Sequence, residues 1–397
     1  MKFKKKLLRK GLTAWFIVFL PSSLALAQKS DSVRSEPVIE ISLQKEVEHA
    51  IEVGLNWLEQ NQLDDGSWSS YPGITSLVIT AFLRSPRGYT EENNAAVYNG
   101  IQFLLRCVQP DGGIYLHDMP GYNTSVALVA LVAADNPDYT ETIRRARDFL
   151  IDLQADEEEG YDASNVFYGG IGYGGDERPD MSNMQFALEA LKESENYRPT
   201  SEGTGETLVY SQTVTGTAAG SKELFWEKAI LFLQRCQNLR ESNDQEWASD
   251  DGGFVYYPGF SQAGGTTSYG TMTYAGMRSF IYAQVDRHDP RVQAAYDWIR
   301  DHFTLDKNPE MGDQGLYYYY HTMAKALDVY GEEIVTDKNN VEHNWREEFL
   351  KKVISLQHGD GYWVNQVGRW WENNKDLVTA YAILALEQAL SLKELEE

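Results

Sequence analysis

A short turn with the spacing Gln-x3-Gly-x-Trp recurs along this chain and constrains its fold more than any other feature. The turn is complete at residues 62–68 (QLDDGSW) and again at residues 357–363 (QHGDGYW). Residues 109–115 (QPDGGIY) keep the spacing with Tyr in place of Trp. Three looser copies keep glycine and an aromatic residue, and they read GIGY at 170–173, DGGF at 251–254 and GLY at 315–317. Six copies in one chain predict a six-fold repeat.

Apolar runs flank every copy of the turn. An aromatic residue followed by Leu or Ile precedes each copy, as in Trp57-Leu58 and Phe349-Leu350, and a run of small and apolar residues follows it, as in residues 75–83. The repeated unit is therefore helix, turn, helix, which predicts an all-α protein of about twelve helices. The first helices of the six units are predicted to end near Asn61, Val108, Leu153, Gln237, Phe303 and Leu356.

These motifs resemble the QW-type repeat of the terpenoid cyclase and protein prenyltransferase superfamily, which includes the squalene-cyclase-like proteins, over roughly residues 45 to 390. The resemblance implies an α/α toroid, in which outer and inner helices alternate around a central cavity. Gln and Trp of the motif then tie the end of one helix to the start of the next, because helix ends leave backbone groups unpaired. Glycine permits the tight turn, and the aromatic side chain covers it.

The start of the chain has the three parts of a secretory signal. Basic residues occupy positions 2–10, an apolar run follows at 12–20, and Ala25-Leu26-Ala27 precedes the expected cleavage point. An uncleaved anchor is the alternative, although the apolar run is shorter than the ~20 residues of a membrane span. We predict a signal peptide at 1–27, a polar tail at 28–40, and one toroid domain at 41–392 with an insertion at 197–222. The mature protein is then exported to the periplasm or the extracellular space, without a membrane span.

The charge of the chain limits its possible partners, and the positions of its cysteines bear on disulfide formation. The formal net charge of the whole chain is -24, and cleavage of the basic signal makes the mature protein more acidic still. This charge argues against nucleic acid and anionic membranes as partners. Cys107 and Cys236 fall in repeats two and four, too far apart in a six-repeat ring for the Cα separation of ~6 Å that a disulfide requires. Two packed free thiols are expected.

In the resembled family the first halves of the inner helices face the cavity, and here several of these halves carry polar and aromatic residues. His321 is the side chain most easily tuned for proton transfer near neutral pH, although a hydrogen-bonded core histidine is the alternative. The predicted catalytic residues are His321, Tyr320, Asn183 and Gln185. The predicted substrate-binding residues are Tyr269, Tyr274, Tyr317, Asp313, Trp370 and Trp371.

The chain departs from the family at its best-known catalytic motifs. Triterpene cyclases carry an Asp-x-Asp-Asp run where this sequence reads Thr266-Thr267-Ser268-Tyr269. Prenyltransferases hold zinc through Asp, Cys and His, and only a histidine segment around His321 is present; one His does not make a zinc site. The Cys-Gly-Glu-Gln run of thioester-containing relatives is also missing at Cys107. We therefore expect no metal and no cofactor.

Three functions remain open. The first is a terpene-cyclase-like protein that holds an apolar or isoprenoid-like ligand in an aromatic cavity, with or without turnover. The second is a non-catalytic envelope scaffold. A cavity filled by side chains would favour this scaffold, whereas an open cavity would favour an enzyme or a ligand carrier. The third, by analogy of fold alone, acts on a glycan.

The glycan alternative has two versions. In the lyase version His321 or a neighbouring Tyr is the base, Tyr320 or Tyr269 is the acid, and Asn183 or Gln185 binds the uronate carboxylate. The glycosidase version uses a carboxylate pair drawn from Asp180, Asp313, Glu372 and Asp376. The basic residues best placed to offset the acidic charge are Lys325, Arg369 and Lys375.

Overall fold

The structure, a computed structural model, describes residues 39–174, 178–197 and 217–390, with side chains from 224 onward in the last range. The predicted signal peptide at 1–27 lies outside the described residues, as do most of the polar tail and residues 198–216 of the predicted insertion. Helix begins at Thr217, inside the range predicted for that insertion.

Each repeat folds as an outer helix, a glycine turn and an inner helix. The outer helices are α1 (Ile41–Gln60), α3 (Ala95–Arg106), α5 (Thr140–Asp152), α7 (Thr217–Cys236), α9 (Pro290–Asp301) and α11 (Trp345–Ser355). The inner helices are α2 (Pro72–Arg84), α4 (Pro120–Ala133), α6 (Met181–Glu193), α8 (Gly270–Tyr282), α10 (Leu316–Tyr330) and α12 (Lys375–Leu390). All six predicted outer-helix ends are confirmed to within about two residues.

The remaining regular elements are short. Within the described ranges, three 3-10 helices lie at Pro137–Tyr139, Glu195–Tyr197 and Arg369–Trp371. One antiparallel hairpin joins β1 (Ile334–Thr336) to β2 (Glu342–Asn344), with Val335 paired to His343. No helix in the described ranges has the length and apolar character that crossing a membrane requires.

The six inner helices form a closed ring. Each packs against the next in chain order, and α12 packs back against α2. The outer helices cover this ring, so the inner helices are enclosed on nearly all sides; every residue of α2 from Pro72 to Phe82 is buried. A helix that is apolar around its whole circumference belongs in such a position. The predicted fold class, an α/α toroid of six repeats, is confirmed.

The motif glutamine connects neighbouring repeats. Gln62 Nε2 donates to the carbonyl of Gly66 in its own turn at 2.9 Å and to the carbonyl of Ala96, at the start of α3, at 2.8 Å. Gly66 has φ 87°, and a Cβ there would lie 2.4 Å from the carbonyl oxygen of Asn99. Glycine is therefore required both by the backbone conformation and by the close approach of the next outer helix.

Two of the looser repeats contain the same glutamine bond, although their sequences hide it. Gln154 donates to the carbonyls of Gly169 and of Phe225, which lies within α7, each at 3.0 Å. Gln237 donates to the carbonyls of Gly252 at 2.9 Å and Arg291 at 2.8 Å. In both repeats a loop separates the glutamine from the glycine by 15 residues, so the sequence spacing is lost while the contact remains.

The motif tryptophans fasten each turn to the preceding outer helix. Trp68 Nε1 donates to the carbonyl of Leu58 in the last turn of α1 at 2.8 Å, and Trp363 Nε1 donates to Val353 in α11 at 2.9 Å. These carbonyls belong to the last turn of a helix, where backbone acceptors lack the N–H donor four residues further on that the helix interior provides. Both tryptophans are fully buried. Cys107 and Cys236 are also buried, and both are free.

Candidate functional site

Four aromatic side chains contact one another toward the amino-terminal end of the inner ring, and we call them the aromatic layer: Tyr122, Phe186, Tyr318 and Tyr381. They come from α4, α6, α10 and α12. Ring centroids lie 5.2 Å apart for Tyr122 and Phe186 and 5.8 Å apart for both Phe186–Tyr318 and Tyr318–Tyr381. The hydroxyl oxygens of Tyr381 and Tyr122 lie 3.5 Å apart, so the four side chains form a closed circle of contacts. Phe186 and Tyr381 are buried and Tyr122 and Tyr318 are partly exposed, so the four rings narrow the centre of the ring at this end.

Deeper in the ring lies a charged layer formed by Glu189, Arg278 and Lys325, in the third turns of α6, α8 and α10. Lys325 donates to Glu189, and Arg278 Nη2 lies 3.2 Å from the other Glu189 oxygen. Arg278 Nη2 also donates to Gln185 Oε1 at 2.7 Å. Burial opposes ionisation of Glu189, but Lys325 and Arg278 outweigh it and lower the pKa of its carboxyl. Glu189 is therefore the shared counter-ion of two buried cations.

His321 borders this layer and is almost completely buried. Its ring lies 5.1 Å from that of Tyr381, and neither ring nitrogen has a hydrogen-bond partner among the described residues. Burial, and then the positive charge of Lys325, lower the pKa of His321 well below its usual value. The imidazole is thus neutral at physiological pH and retains both its donor and its acceptor.

The carboxyl-terminal end of the inner ring opens into a cavity of about 340 Å³, which we call the mouth. Arg84, Glu193 and Tyr282 are the last residues of α2, α6 and α8, and Glu387 lies in the last turn of α12. The full lining is Arg84, Glu189, Glu193, Tyr282, Leu384, Glu387 and Gln388. Arg84 and Glu193 form an ion pair at 2.6 Å. The mouth is therefore polar at its edge and reaches the charged layer at Glu189.

An apolar passage adjoins the mouth, and Glu189 and Leu384 line both spaces. The other lining residues of the passage are Leu77, Thr80, Val126, Val129, Phe186 and Lys325. Its free volume is about 10 Å³, roughly what one water molecule occupies. The structure thus combines an open polar mouth with a narrow apolar interior.

The predicted catalytic residues fall in different parts of the ring. His321 and Gln185 both lie between the aromatic and charged layers, where the hydroxyl of Tyr318 accepts a hydrogen bond from Gln185. Tyr320 points toward the outer helices, because its hydroxyl donates to the carbonyl of Leu305 at 2.6 Å and its ring contacts Phe349. Asn183 donates to Asp180 at 2.7 Å in the first turn of α6. Residues adjacent on a helix differ in direction by about 100°, which separates Tyr320 from His321.

The predicted substrate-binding residues divide into a buried and an exposed group. Tyr269, Tyr274 and Tyr317 are buried. Asp313, Trp370 and Trp371 lie at the amino-terminal rim, where the two tryptophans are 42% and 48% exposed. Trp371 contacts Tyr71 edge to face, with ring centroids 5.2 Å apart. None of these residues lines the mouth.

Two of the four candidate carboxylates bind helix amino termini. Asp180 accepts from the backbone N–H of Asn183 at 2.9 Å, and Glu372 accepts from that of Tyr318 at 2.8 Å. Burial raises the pKa of Asp180 to about 6 and that of Glu372 to about 7. Asp376 accepts from Ser69 at 2.6 Å. Hydrogen bonds of this kind stabilise the fold.

The candidate basic residues are also dispersed. Lys325 lies in the charged layer, whereas Arg369 stacks over Trp370 at 4.2 Å and Lys375 lies 3.9 Å above the ring of Tyr362. In the part of the chain that the structure describes, no three His, Cys, Asp or Glu side chains come together as a metal site.

Sequence reasoning missed the mouth. Three charged residues of the mouth and the charged layer did carry a signal, because each interrupts an apolar run on an inner helix: Glu189 stands in ALEAL, Lys325 in AKAL and Glu387 in ALEQAL. Charged residues are rarely buried unless they are paired. A charge at the same depth on several inner helices could therefore have indicated a common layer.

Comparison with solved structures finds proteins of similar fold. The type II terpene cyclase MstE from Scytonema without ligand superposes with a TM-score of 0.52 at 13% sequence identity, over 87% of this chain and 98% of that one. A variant of MstE in complex with its substrate geranylgeranyl dihydroxybenzoate gives a TM-score of 0.52 at 12% identity, over 88% and 99%. A glycosidase in complex with glucose gives 0.49 at 13% identity, over 89% and 100%. No family model matches the sequence. The chain therefore has a terpene-cyclase-like α/α-toroid fold.

Proposed function

We propose that this protein binds an amphipathic, isoprenoid-like small molecule at the carboxyl-terminal mouth of its inner ring. The observation that carries the proposal is the mouth itself, a cavity of about 340 Å³ that is polar at its edge and adjoins an apolar passage. A ligand with one polar end places that end among Arg84, Glu193 and Glu387. Its apolar part then lies against Leu384 within the mouth, because the passage has room for only about one water molecule.

The fold-related cyclase supports this ligand class. MstE is similar in fold, and its complex contains geranylgeranyl dihydroxybenzoate, a prenyl chain attached to a polar ring. Concave, largely preformed cavities with a few polar groups are where proteins bind such molecules. By analogy of fold, we extend the ligand class, but not the reaction, to this chain.

The proposal is binding without cyclisation, because the segment that corresponds to the cyclase acid has another role here. Ser268 accepts from Asn238 at 2.8 Å and donates to Asp251 at 2.7 Å, and these bonds fasten the glycine turn of the fourth repeat. A serine held in this way supplies no strong acid to an alkene. Together with the signal-like residues 1–27, this makes an exported ligand carrier our proposed function.

Retention of a ligand by the purified protein tests the proposal. The mature protein, purified without detergent, would be incubated with a total lipid extract, and native mass spectrometry would identify what it retains. We expect an amphipathic molecule of isoprenoid type. Leu384→Phe, which narrows the junction of mouth and passage, should weaken retention, whereas Leu356→Phe on an exposed outer-helix end should not. Recovery of the protein without any bound molecule contradicts the proposal.

The mutual packing of the aromatic layer favours a second candidate function, a non-catalytic envelope scaffold. Phe186 and Tyr381 are buried, and the four rings contact one another around the layer. A scaffold needs no cavity, and its acidic surface would be the contacting part. A protein that retains no small molecule but is captured by envelope proteins through acidic surface residues would support the scaffold instead.

A further inference from the structure

Glu387 presents an unexplained feature of the mouth. Its side chain is only 6% exposed, and neither carboxyl oxygen has a hydrogen-bond partner among the described residues. Buried polar groups in native proteins are nearly always hydrogen-bonded, and each exception calls for a physical reason. Glu387 also lines the cavity directly. A partner supplied by a ligand would satisfy it.

The cations near Glu387 are already paired with other carboxylates. Arg84 forms its ion pair with Glu193 at 2.6 Å. Arg278 and Lys325 both contact Glu189. Arg84 attracts Glu387 electrostatically without bonding to it. Among the described residues, Glu387 therefore has no counter-ion in contact.

The backbone around the mouth favours a positive charge as well. Helices α2, α6 and α8 end there at Arg84, Glu193 and Tyr282, and α12 contributes Glu387 from its last turn. The carboxyl terminus of a helix carries about half a negative charge, and cations are stabilised beside it. The termini of α2 and α8 border the cavity in this way, whereas arginines already donate to the last carbonyls of α6 (Arg147 to Leu191) and of α12 (Arg346 to Gln388 and Ala389). The ring of Tyr282 adds an aromatic wall, which also stabilises cations.

We propose that the polar end of the ligand is a positively charged amine and that Glu387 is its counter-ion in the mouth. This inference rests on the proposed function, because it specifies the head group of the same amphipathic ligand. The ammonium donates to the Glu387 carboxylate, and the apolar part of the molecule packs toward Leu384.

Binding of an amine is coupled to a proton. Burial raises the pKa of Glu387 well above its usual value, so we expect its carboxyl to hold a proton in the free protein and to release it to solvent when the ammonium binds. The other charged or titratable groups of this region are Arg84 on α2, Glu189 and Glu193 on α6, Arg278 and Tyr282 on α8, His321, Lys325 and Asp328 on α10, and Arg346 on α11, which is paired with Asp328. Glu387 is the carboxyl among them without a paired cation.

A series of probes with one chain and three head groups tests the inference. Isothermal titration calorimetry of the mature protein would compare octylamine, octanol and octanoate. A hydrogen bond to a charged group increases affinity by roughly 10- to 100-fold. We therefore expect octylamine to bind at least about 10-fold more tightly than octanol or octanoate. In Glu387→Gln this preference should disappear while octanol binding is unchanged. Glu92→Gln, at an exposed site, should keep the preference.

The outcomes separate the two proposals. Equal binding of all three probes, or a preference for octanoate, overturns the amine inference and leaves the binding function intact. Failure of every probe to bind overturns both. Should Glu387→Gln not fold, titration of the unmodified protein with octylamine in two buffers of different ionisation enthalpy gives the answer: proton release is expected, and its absence contradicts the role of Glu387.

Discussion

The Nε2 of Gln357 donates to the carbonyl of Ala50 at 2.9 Å, and this bond joins the last repeat to the first. Gln357 follows α11, whereas Ala50 lies within α1. The same amide also donates to Gly361 in its own turn at 2.8 Å. This arrangement matches that of Gln62 with Gly66 and Ala96. The ring is therefore closed by the contact that connects its internal repeats.

We predict that Gln357→Ala destabilises the protein by about 1–3 kcal/mol, because two backbone carbonyls lose their donor. Gln62→Ala should have an effect of similar size. Gln44→Ala, which removes only an exposed bond to Glu48, should stay within about 0.5 kcal/mol. Urea unfolding followed by circular dichroism measures all three. If Gln357→Ala lowers stability no more than Gln44→Ala does, the contact between the last and the first repeat does not depend on this amide.

Gly361 should not tolerate a side chain. Its φ is 103°, and a Cβ would lie 2.8 Å from both Cγ1 and the carbonyl oxygen of Val53. We expect Gly361→Ala to lower the free energy of unfolding by at least about 1–3 kcal/mol from backbone strain alone. Gly359→Ala, two residues away with no heavy atom within 4 Å of its Cβ, serves as the matched control and should be nearly neutral. Equal thermal unfolding midpoints for the two variants would refute this interpretation.

Glu372 should make stability depend on pH. Burial raises its pKa from 4.5 to about 7, so the folded protein holds a proton that the unfolded chain releases in this interval. The contribution of Glu372 to stability is complete below pH 4.5 and falls as the pH rises to 7, by up to about 3 kcal/mol. Glu372→Gln should remove this part of the pH dependence. Parallel stability curves for the two proteins, measured by denaturant unfolding, would show that Glu372 does not titrate as stated.

Loss of the shared counter-ion in the charged layer should be costly. Glu189→Gln leaves Arg278 and Lys325 buried without their carboxylate, and breaking a buried ion pair from one side costs about 3–5 kcal/mol. Glu193→Gln on the same helix breaks only the partly exposed pair with Arg84 and should cost less than about 1 kcal/mol. Thermal unfolding compares the two variants. Similar losses of stability in the two variants would mean that the ion pairs of Glu189 with Arg278 and Lys325 are not desolvated as the structure indicates.

The repeat, the turn chemistry and the ends of the helices could be predicted from the sequence, because they depend on local features. Gly66 and Gly361 are followed two residues later by Trp68 and Trp363, and each turn lies between two apolar runs. This spacing is enough to define a helix, a turn and a helix. The spacing failed to locate Gln154 and Gln237, whose loops carry the glycine 15 residues away.

The sequence did not determine the direction in which each inner-helix side chain points, and only the tertiary structure decided this. An amphipathic helix shows its buried face by periodicity, but an inner helix is buried on nearly all sides, so its pattern does not distinguish the ring centre from the outer layer. Tyr320 and His321 are neighbours in sequence. Tyr320 nevertheless contacts Leu305 and Phe349 outside the inner ring, whereas His321 contacts Tyr381 at the centre of the ring. The mouth is formed by residues of α2, α6, α8 and α12, which belong to different repeats. Only long-range packing brings Arg84 and Glu387 to one cavity.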